Sequence, residues 1–303
     1  ETSIAENNGS VVVTANLSNA KLNPTNVSLD LVGTSTMSID YNVSSINKYS
    51  TVAGTTDSPG SADGQGSNAK LDEPISVVAY LNGSFLVTDY ENHTIRKISA
   101  DGTVSTFLGK AYNQMGWNRQ GVDADEVRLS YPTTIAADLS TGNVYWSEHE
   151  RIYLYQASDH KVYTLASGDD SMGATGRIGG LAWWNGALHY SDMYQYTINK
   201  LVPDPAVTVV TTETSFSYEI VAGEKNQSYS SWDFTDDGKG KRSFSQAAFA
   251  YPGRLSVDPN RNRMYVSGFD YNWSRNDSRA QAIRILDFNT NEVSLLTRPG
   301  MSI

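Results

Sequence analysis

Acidic side chains recur at one position of three repeated units in this chain. Asp89, Glu148 and Asp192 each end a short apolar run that is predicted to be a β-strand. His149 adjoins Glu148, and His189 lies on the same run as Asp192. If the units surround a common axis, these carboxylates form a ring at the mouth of a channel that could bind a cation. Each carboxylate could instead cap its own turn by accepting hydrogen bonds from backbone amides.

Other sequence signals for catalysis are weak. None of the four histidines has the H-x-H or H-x-x-x-H spacing of metal ligands. No G-x-S-x-G nucleophile motif occurs. The glycine pairs at 64–66 and 238–240 lack the strand–turn–helix context of a phosphate loop, so we interpret them as turns. Asp63, Asp236 and Asp237 beside them could bind calcium, but an Asp-Gly turn needs no metal.

The composition restricts the fold and the partners. The 303 residues carry a net charge of −10 and include no cysteine, which excludes disulfides and thiol chemistry. Abundant Gly, Ser, Thr, Asn and Tyr suit short strands joined by turns. The negative charge argues against nucleic acid or an anionic membrane as partner, since both require clustered Lys and Arg. No apolar run approaches the roughly 20 residues of a membrane span.

A repeated sequence pattern predicts the fold. Residues 62–80 and 236–258 share a glycine pair, a proline and an apolar run, and residues 121–138 keep the proline and the run. Such repetition indicates a unit that cannot bury its apolar face alone and stacks on copies of itself. Turns such as Asn82-Gly83 supply the positive φ that tight hairpins require.

Four units of four short strands each are predicted. The strands are 75–80, 84–89, 94–99 and 103–108; 134–137, 143–147, 152–156 and 161–166; 181–184, 187–191, 197–201 and one within 207–221; and 255–258, 263–267, 283–288 and 292–297. Repeated four-stranded meanders predict an all-β protein, a β-propeller with four recognisable blades.

The first unit resembles an NHL repeat. The matching segments are 49–54, 60–66, Pro74, 87–90 and 92–98, with the next copy beginning at 102–109. The resemblance covers residues 49–303 and implies an NHL-like propeller, which usually has more blades than the four units found here. Some propellers of this kind are lyases or hydrolases with a channel metal, which makes Asp89, Glu148 and Asp192 candidate ligands.

Residues 1–48 follow a different pattern. They contain three alternating runs, 10–17, 27–32 and 37–43, that predict strands. This stretch also resembles the first half of a Calx-beta domain, an immunoglobulin-like sandwich. The segments that carry the resemblance are 4–11, 17–18, 33–36 and 40–41. We therefore predict two domains, an incomplete β segment over 1–48 and a propeller over 49–303.

The Calx-beta resemblance implies calcium binding. Glu6 and Asp40 stand at positions that match acidic ligands of that family. Two carboxylates supply too few oxygen atoms, because calcium takes about six or more. The alternative is that Glu6 is a surface residue and Asp40 a turn residue.

An incomplete sandwich must be completed in some way. Three strands cannot close a two-sheet core, and their open edge is a template for pairing. The segment could pack on the propeller as an extra blade, accept a strand from another subunit, or belong to a longer protein. Residues 49–53 resemble an outermost blade strand, yet the last unit already has one at 292–297. The surplus strand could join residues 10–43 in a fifth blade, or a head-to-tail contact could build a filament.

Candidate contact residues lie in long loops. Trp117, Trp232 and Trp273 occur in polar stretches, where they suit protein interfaces or carbohydrate stacking, with packing between blades as the alternative. The loops are 110–126, 223–245 and 268–279, and long loops on a rigid scaffold carry function.

Nine N-x-S/T sequons mark candidate glycosylation sites. They are Asn8, Asn16, Asn26, Asn42, Asn82, Asn92, Asn226, Asn272 and Asn276. About five would arise by chance in a chain this rich in Asn, Ser and Thr, and glycosylation matters only for an exported protein. The chain starts at Glu1 instead of Met, which predicts a processed product.

These signals favour a non-catalytic extracellular or cell-surface scaffold or binding module. We predict that it self-assembles through strand complementation by the amino-terminal segment, with itself, another extracellular protein or a glycan as partner. No cofactor is required, and calcium is a candidate ion. The alternatives are a metal-dependent lyase or hydrolase with its site at the channel, and a carbohydrate-binding propeller.

Overall fold

The fold is all-β, as the sequence predicts. The computed structural model describes residues 51–110, 120–166, 177–203, 216–224, 241–247, 249, 251–269 and 281–296. Within these ranges nineteen strands form four antiparallel sheets, which are arranged as the blades of a β-propeller. The predictions for residues 1–50 lie outside the described residues. None of the helices in the described ranges is long and apolar enough to cross a bilayer.

The blades follow one another along the chain. Blade 1 comprises β1 (Gly64–Gln65), β2 (Pro74–Ala79), β3 (Phe85–Asp89), β4 (Thr94–Ile98) and β5 (Thr103–Leu108). Blade 2 comprises β6 (Gln120–Asp123), β7 (Pro132–Asp138), β8 (Asn143–Glu148), β9 (Arg151–Gln156) and β10 (Lys161–Ala166). Blade 3 comprises β11 (Ile178–Trp184), β12 (Ala187–Asp192), β13 (Thr197–Pro203) and β14 (Phe216–Ala222). Blade 4 comprises β15 (Lys241–Ser243), β16 (Pro252–Asp258), β17 (Arg263–Phe269), β18 (Gln281–Asp287) and β19 (Glu292–Leu295).

Three blades have a fifth strand that the sequence did not predict. The segment at 64–66, interpreted above as a turn, supplies β1, which pairs with the outermost main strand β5. Strands β6 and β15 add to β10 and β19 in the same way. These strands have two to four residues, which is too short for an alternating pattern to stand out.

The inner strands β2, β7, β11 and β16 begin earlier than predicted and share an irregularity. In each, the pairing register shifts directly after the first one or two residues. Such bulges bend a strand and redirect the side chains next to it. The bulge sets Pro74 opposite Asp89, Pro132 opposite Glu148 and Ile178 opposite Asp192.

Apolar cores lie between successive blades. Leu86, Ile135 and Trp146 belong to the core between blades 1 and 2. Further cores fill the spaces between blades 2 and 3 and between blades 3 and 4. Burying one large apolar side chain stabilises a fold by about 1.5–3 kcal/mol, so these cores hold the blades together. Among the described residues, no core cluster joins blade 4 to blade 1.

Candidate functional site

The three acids predicted at the channel mouth lie at equivalent ends of second strands, as their spacing suggested. Asp89 ends β3, Glu148 ends β8 and Asp192 ends β12, and all three are buried. In blade 4 the equivalent residue is Gly268. These residues therefore stand at equivalent places in three blades, and each lies within its own blade.

Asp89 belongs to a buried network within blade 1. Its carboxylate accepts hydrogen bonds from the Asp72 amide at 2.6 Å, from Asn92 Nδ2 at 2.8 Å and from Arg96 Nη1 at 3.0 Å. Burial raises the pKa of Asp89, and the hydrogen bonds and the Arg96 charge oppose that shift. The Arg96 guanidinium also bonds Asp63 at 2.6 Å, which fastens the preceding loop to the blade.

The other two acids also have partners in their own blades. Glu148 Oε1 accepts a hydrogen bond of 2.8 Å from the Trp146 indole. Asp192 Oδ1 accepts the backbone amides of Tyr194 and Gln195, at 3.0 and 2.9 Å, as a turn-capping residue does. In the part of the chain that the structure describes, no three His, Asp or Glu side chains are grouped to hold a metal ion. A cation shared by the acids stays a prediction.

A cationic side chain links inner strands of blades that are not neighbours. Arg254 on β16 donates from Nη1 to the Thr133 carbonyl on β7, at 3.0 Å. The charge therefore lies between blades 4 and 2, beside the strands that line the axis. Like charges repel, so a fixed guanidinium in this place opposes the binding of a metal cation close to it.

His189 gives the fold a sensitivity to acid. The ring is 3% exposed and packs against Trp184, with 5.7 Å between ring centroids. Burial lowers the pKa of His189 to about 4 from the ordinary 6.5. Because the unfolded chain binds this proton more tightly, the free energy of unfolding should fall by about 3 kcal/mol as pH drops through that interval.

Denaturant titrations across this pH interval would measure the effect. We expect His189→Gln to lose most of the acid sensitivity, because its side chain does not titrate. His160→Gln is the matched control, since the His160 side chain is 54% exposed. Equal acid sensitivity in the wild type and in His189→Gln would contradict the assignment.

Several candidate residues lie outside the described residues. They are Glu6 and Asp40, the tryptophans Trp117, Trp232 and Trp273, and the sequon residues Asn8, Asn16, Asn26, Asn42, Asn226, Asn272 and Asn276. Asn82 is exposed, in a turn with φ of 58°. Asn92 is buried, and its Nδ2 donates to Gly60 O and Asp89 Oδ2. A glycan attached to that nitrogen would displace both bonds, so Asn82 is the better placed of these two.

One inner strand has an apolar face that the sequence did not single out. Val77 is the fourth residue of β2 and is 62% exposed. The fourth residues of β7 and β11 are Ile135 and Leu181, each 4% exposed, and Leu255 of β16 is half-buried. Each of these packs on the preceding blade. Val77 has the same orientation, but no described blade precedes it.

The second strand of blade 1 repeats the contrast. Phe85 lies opposite Ala79 and is 45% exposed. The residues at the same place in blades 2, 3 and 4 are Val144, Leu188 and Met264, which are 0%, 2% and 0% exposed. We call the surface formed by Ile75, Val77, Ala79 and Phe85 the open face of blade 1.

The open face occupies only the inner half of this side of blade 1. Its outer half is covered by the loop before β2, where Ala69 packs with Val87, Ile98 and Val104. Ala53 packs against the same group. The apolar surface therefore begins where the chain's own covering loop ends. Alternation in residues 75–80 predicts a strand with an apolar face, but whether that face is covered depends on a neighbour that the strand itself does not specify.

Comparison with known proteins finds distant structural likenesses only. No protein-family model matches the chain, and no curated protein matches it. A structural genomics protein of unknown function from Bacteroides thetaiotaomicron is similar at 16% identity, over 84% of this chain and 64% of that one, with a TM-score of 0.45. An auxiliary nutrient binding protein from Bacteroides ovatus is similar at 14% identity, over 74% of this chain and 47% of that one, with a TM-score of 0.47. Virginiamycin B lyase from Staphylococcus aureus is similar at 12% identity, over 73% of this chain and 65% of that one, with a TM-score of 0.36. The chain spans 47–65% of the length of these three structures.

Proposed function

We propose that the protein is a non-catalytic binding and assembly module of the cell exterior or cell surface, which self-associates through its amino-terminal end. The open face of blade 1 carries this proposal. It exposes Ile75, Val77 and Phe85 side by side, whereas the equivalents of Val77 and Phe85 in the other blades are covered. Contiguous exposed apolar surface of this kind marks an interaction site.

The two ends of the blade series differ in chemistry. The face of blade 4 that points away from blade 3 carries Arg254 and Ser256, both exposed, beside half-buried Tyr265 and Ile285, while the open face of blade 1 is apolar. Two unlike ends favour a head-to-tail contact between copies, which builds a filament when the rotation does not close a ring. The amino-terminal segment supplies strands for such a contact by complementation.

The finer sequence predictions belong to the same proposal. The inner strands of blades 1, 2 and 4 begin at Pro74, Pro132 and Pro252, which supports an NHL-like repeat over residues 49–303. A Calx-beta-like segment over 1–48, calcium at Glu6 and Asp40, and glycosylation remain proposals that need their own tests.

Light scattering over a range of protein concentrations, with electron microscopy of the same samples, tests the proposal. We expect large oligomers or filaments that grow with concentration. Val77→Asp should weaken association by roughly tenfold to a hundredfold, because it removes one buried apolar side chain from the contact. Leu139→Asp is the control, since Leu139 is 54% exposed and lies in the turn after β7 of blade 2. A monomer at every concentration would refute self-association.

A further inference from the structure

The chain just before blade 1 has the geometry of a junction between two blades. Gly54 has φ of +88°, and its amide donates to the Gly66 carbonyl at 3.1 Å. Gly223 has φ of +97° and donates to the Phe244 carbonyl at 3.0 Å, directly after the outermost strand of blade 3. Gly109, with φ of +89°, follows β5 in the same way. By this equivalence, Gly54 follows the outermost strand of a blade that precedes blade 1.

Packing next to these glycines supports the equivalence. Leu108 lies in the core between blades 1 and 2, and Ala222 lies in the core between blades 3 and 4. Ala53 occupies the corresponding place before Gly54 and packs with Ala69 and Val87, on the open side of blade 1. The outer part of one more interblade core is therefore present, and its inner part is the open face.

Blade 4 does not account for this junction. Its strand β19 already closes its outer side, and β15 adds a fifth strand beyond it. Residues 51–53 are therefore surplus to blade 4. The face that blade 4 would present carries exposed Arg254 and Ser256 beside half-buried Tyr265 and Ile285, which is a more polar surface than the open face of blade 1.

We propose that residues 1–53 of the same chain form a fifth blade that covers the open face of blade 1. The predicted strands 10–17, 27–32 and 37–43, followed by the stretch predicted at 49–53, would give four strands, which is the number of main strands in each described blade. Of that last stretch, the described residues 51–53 include a bend at 52–53. In 27–32, Val27, Leu29 and Leu31 alternate with polar Ser28 and Asp30. One side of that run is therefore apolar, as a blade seated on an apolar face requires.

This inference goes beyond the proposed function and does not rest on it. If residues 1–53 cover blade 1 within one chain, the next copy in an assembly meets the new blade instead of Val77. Val77→Asp would then disturb the cover within one chain and not the contact between copies. The existence of the fifth blade does not depend on assembly, so the two ideas can fail separately.

Cysteine labelling of the full-length chain tests the inference, because the natural sequence has no cysteine. Val77→Cys and Phe85→Cys place a thiol on the open face, and Leu139→Cys places one on an exposed turn. With a fifth blade, a maleimide should label Cys variants at 77 and 85 slower than the one at 139, on the order of tenfold or more. The protection should persist on dilution and disappear in denaturant.

A change in the covering segment completes the test. Leu31→Asp, combined with Val77→Cys, should raise the labelling rate toward that of Leu139→Cys, and Ser28→Asp should leave it unchanged. Fast labelling of the Val77→Cys chain would overturn the inference, because the face would be bare. Protection that is lost on dilution would also overturn it and would show a second copy as the cover, which supports self-association. Protection in a permanent monomer would uphold the fifth blade and refute the assembly.

Discussion

Gly180→Ala should lower the free energy of unfolding by about 3 kcal/mol or more, because the new methyl group would enter occupied space. A Cβ atom at Gly180 would lie 2.6 Å from the Gly253 carbonyl oxygen, 2.7 Å from the Leu255 nitrogen and 2.8 Å from Arg254 Cα. These are backbone atoms of β16, which cannot rotate away as a side-chain end can. Blades 3 and 4 would have to separate, and the core between them would open.

Gly186→Ala is the matched control. Gly186 lies in the turn between β11 and β12, with no atom within 4 Å of its Cβ position and φ of +75°. Alanine there adds only backbone strain of about 1–2 kcal/mol. Denaturant unfolding of both variants gives the comparison. Equal losses would mean that the two inner strands are farther apart than in this structure.

Asp89→Ala should cost about 3–5 kcal/mol of stability, because it leaves a buried guanidinium without its buried partner. The side chains of Arg96 and Asp89 are both fully buried. The Asp72 amide also loses its acceptor, and Asn92 loses one of its two acceptors. This network connects the loop over residues 60–72 to blade 1. We therefore expect the loop to loosen as well, with faster hydrogen exchange of its amides.

The second carboxylate on Arg96 provides the control for this prediction. Asp63 bonds the same guanidinium, but its side chain is 56% exposed. Asp63→Ala should cost at most about 1 kcal/mol, since water replaces an exposed carboxylate readily. Unfolding titrations of both variants decide the matter. If Asp63→Ala were the more harmful change, the guanidinium would depend on the exposed partner.

Much of the fold could be predicted because each blade is built from local patterns. The predicted bounds of 103–108 and 161–166 agree with β5 and β10, where tight turns delimit an alternating run. The fifth strands were missed, since Gly64 and Gln65 look like a turn until β5 lies beside them. Long-range pairing of two residues leaves no periodic trace in the sequence.

The candidate site was harder to predict, for a different reason. An acidic residue at the end of an apolar run is easy to recognise in a sequence, as at Asp89, Glu148 and Asp192. The structure places each of these residues among hydrogen-bond partners that a sequence does not reveal. Val77 and Phe85 looked like ordinary core residues, and their exposure depends on what precedes blade 1. Sequence pattern identifies an apolar face, whereas only the arrangement of blades shows whether that face has a neighbour.

The fifth strands also bear on how such a protein folds and how it diversifies. In blades 1, 2 and 4 the strand that comes first along the chain pairs with the strand that comes last. Each of these sheets is therefore completed by residues of one continuous stretch of chain. Such a stretch can complete its own sheet during synthesis, before the rest of the ring exists. A gene duplication that copies one stretch would therefore add a whole blade and leave no neighbour lacking a strand. The number of blades can then change one at a time, and only the terminal blades need a new cover for their apolar faces.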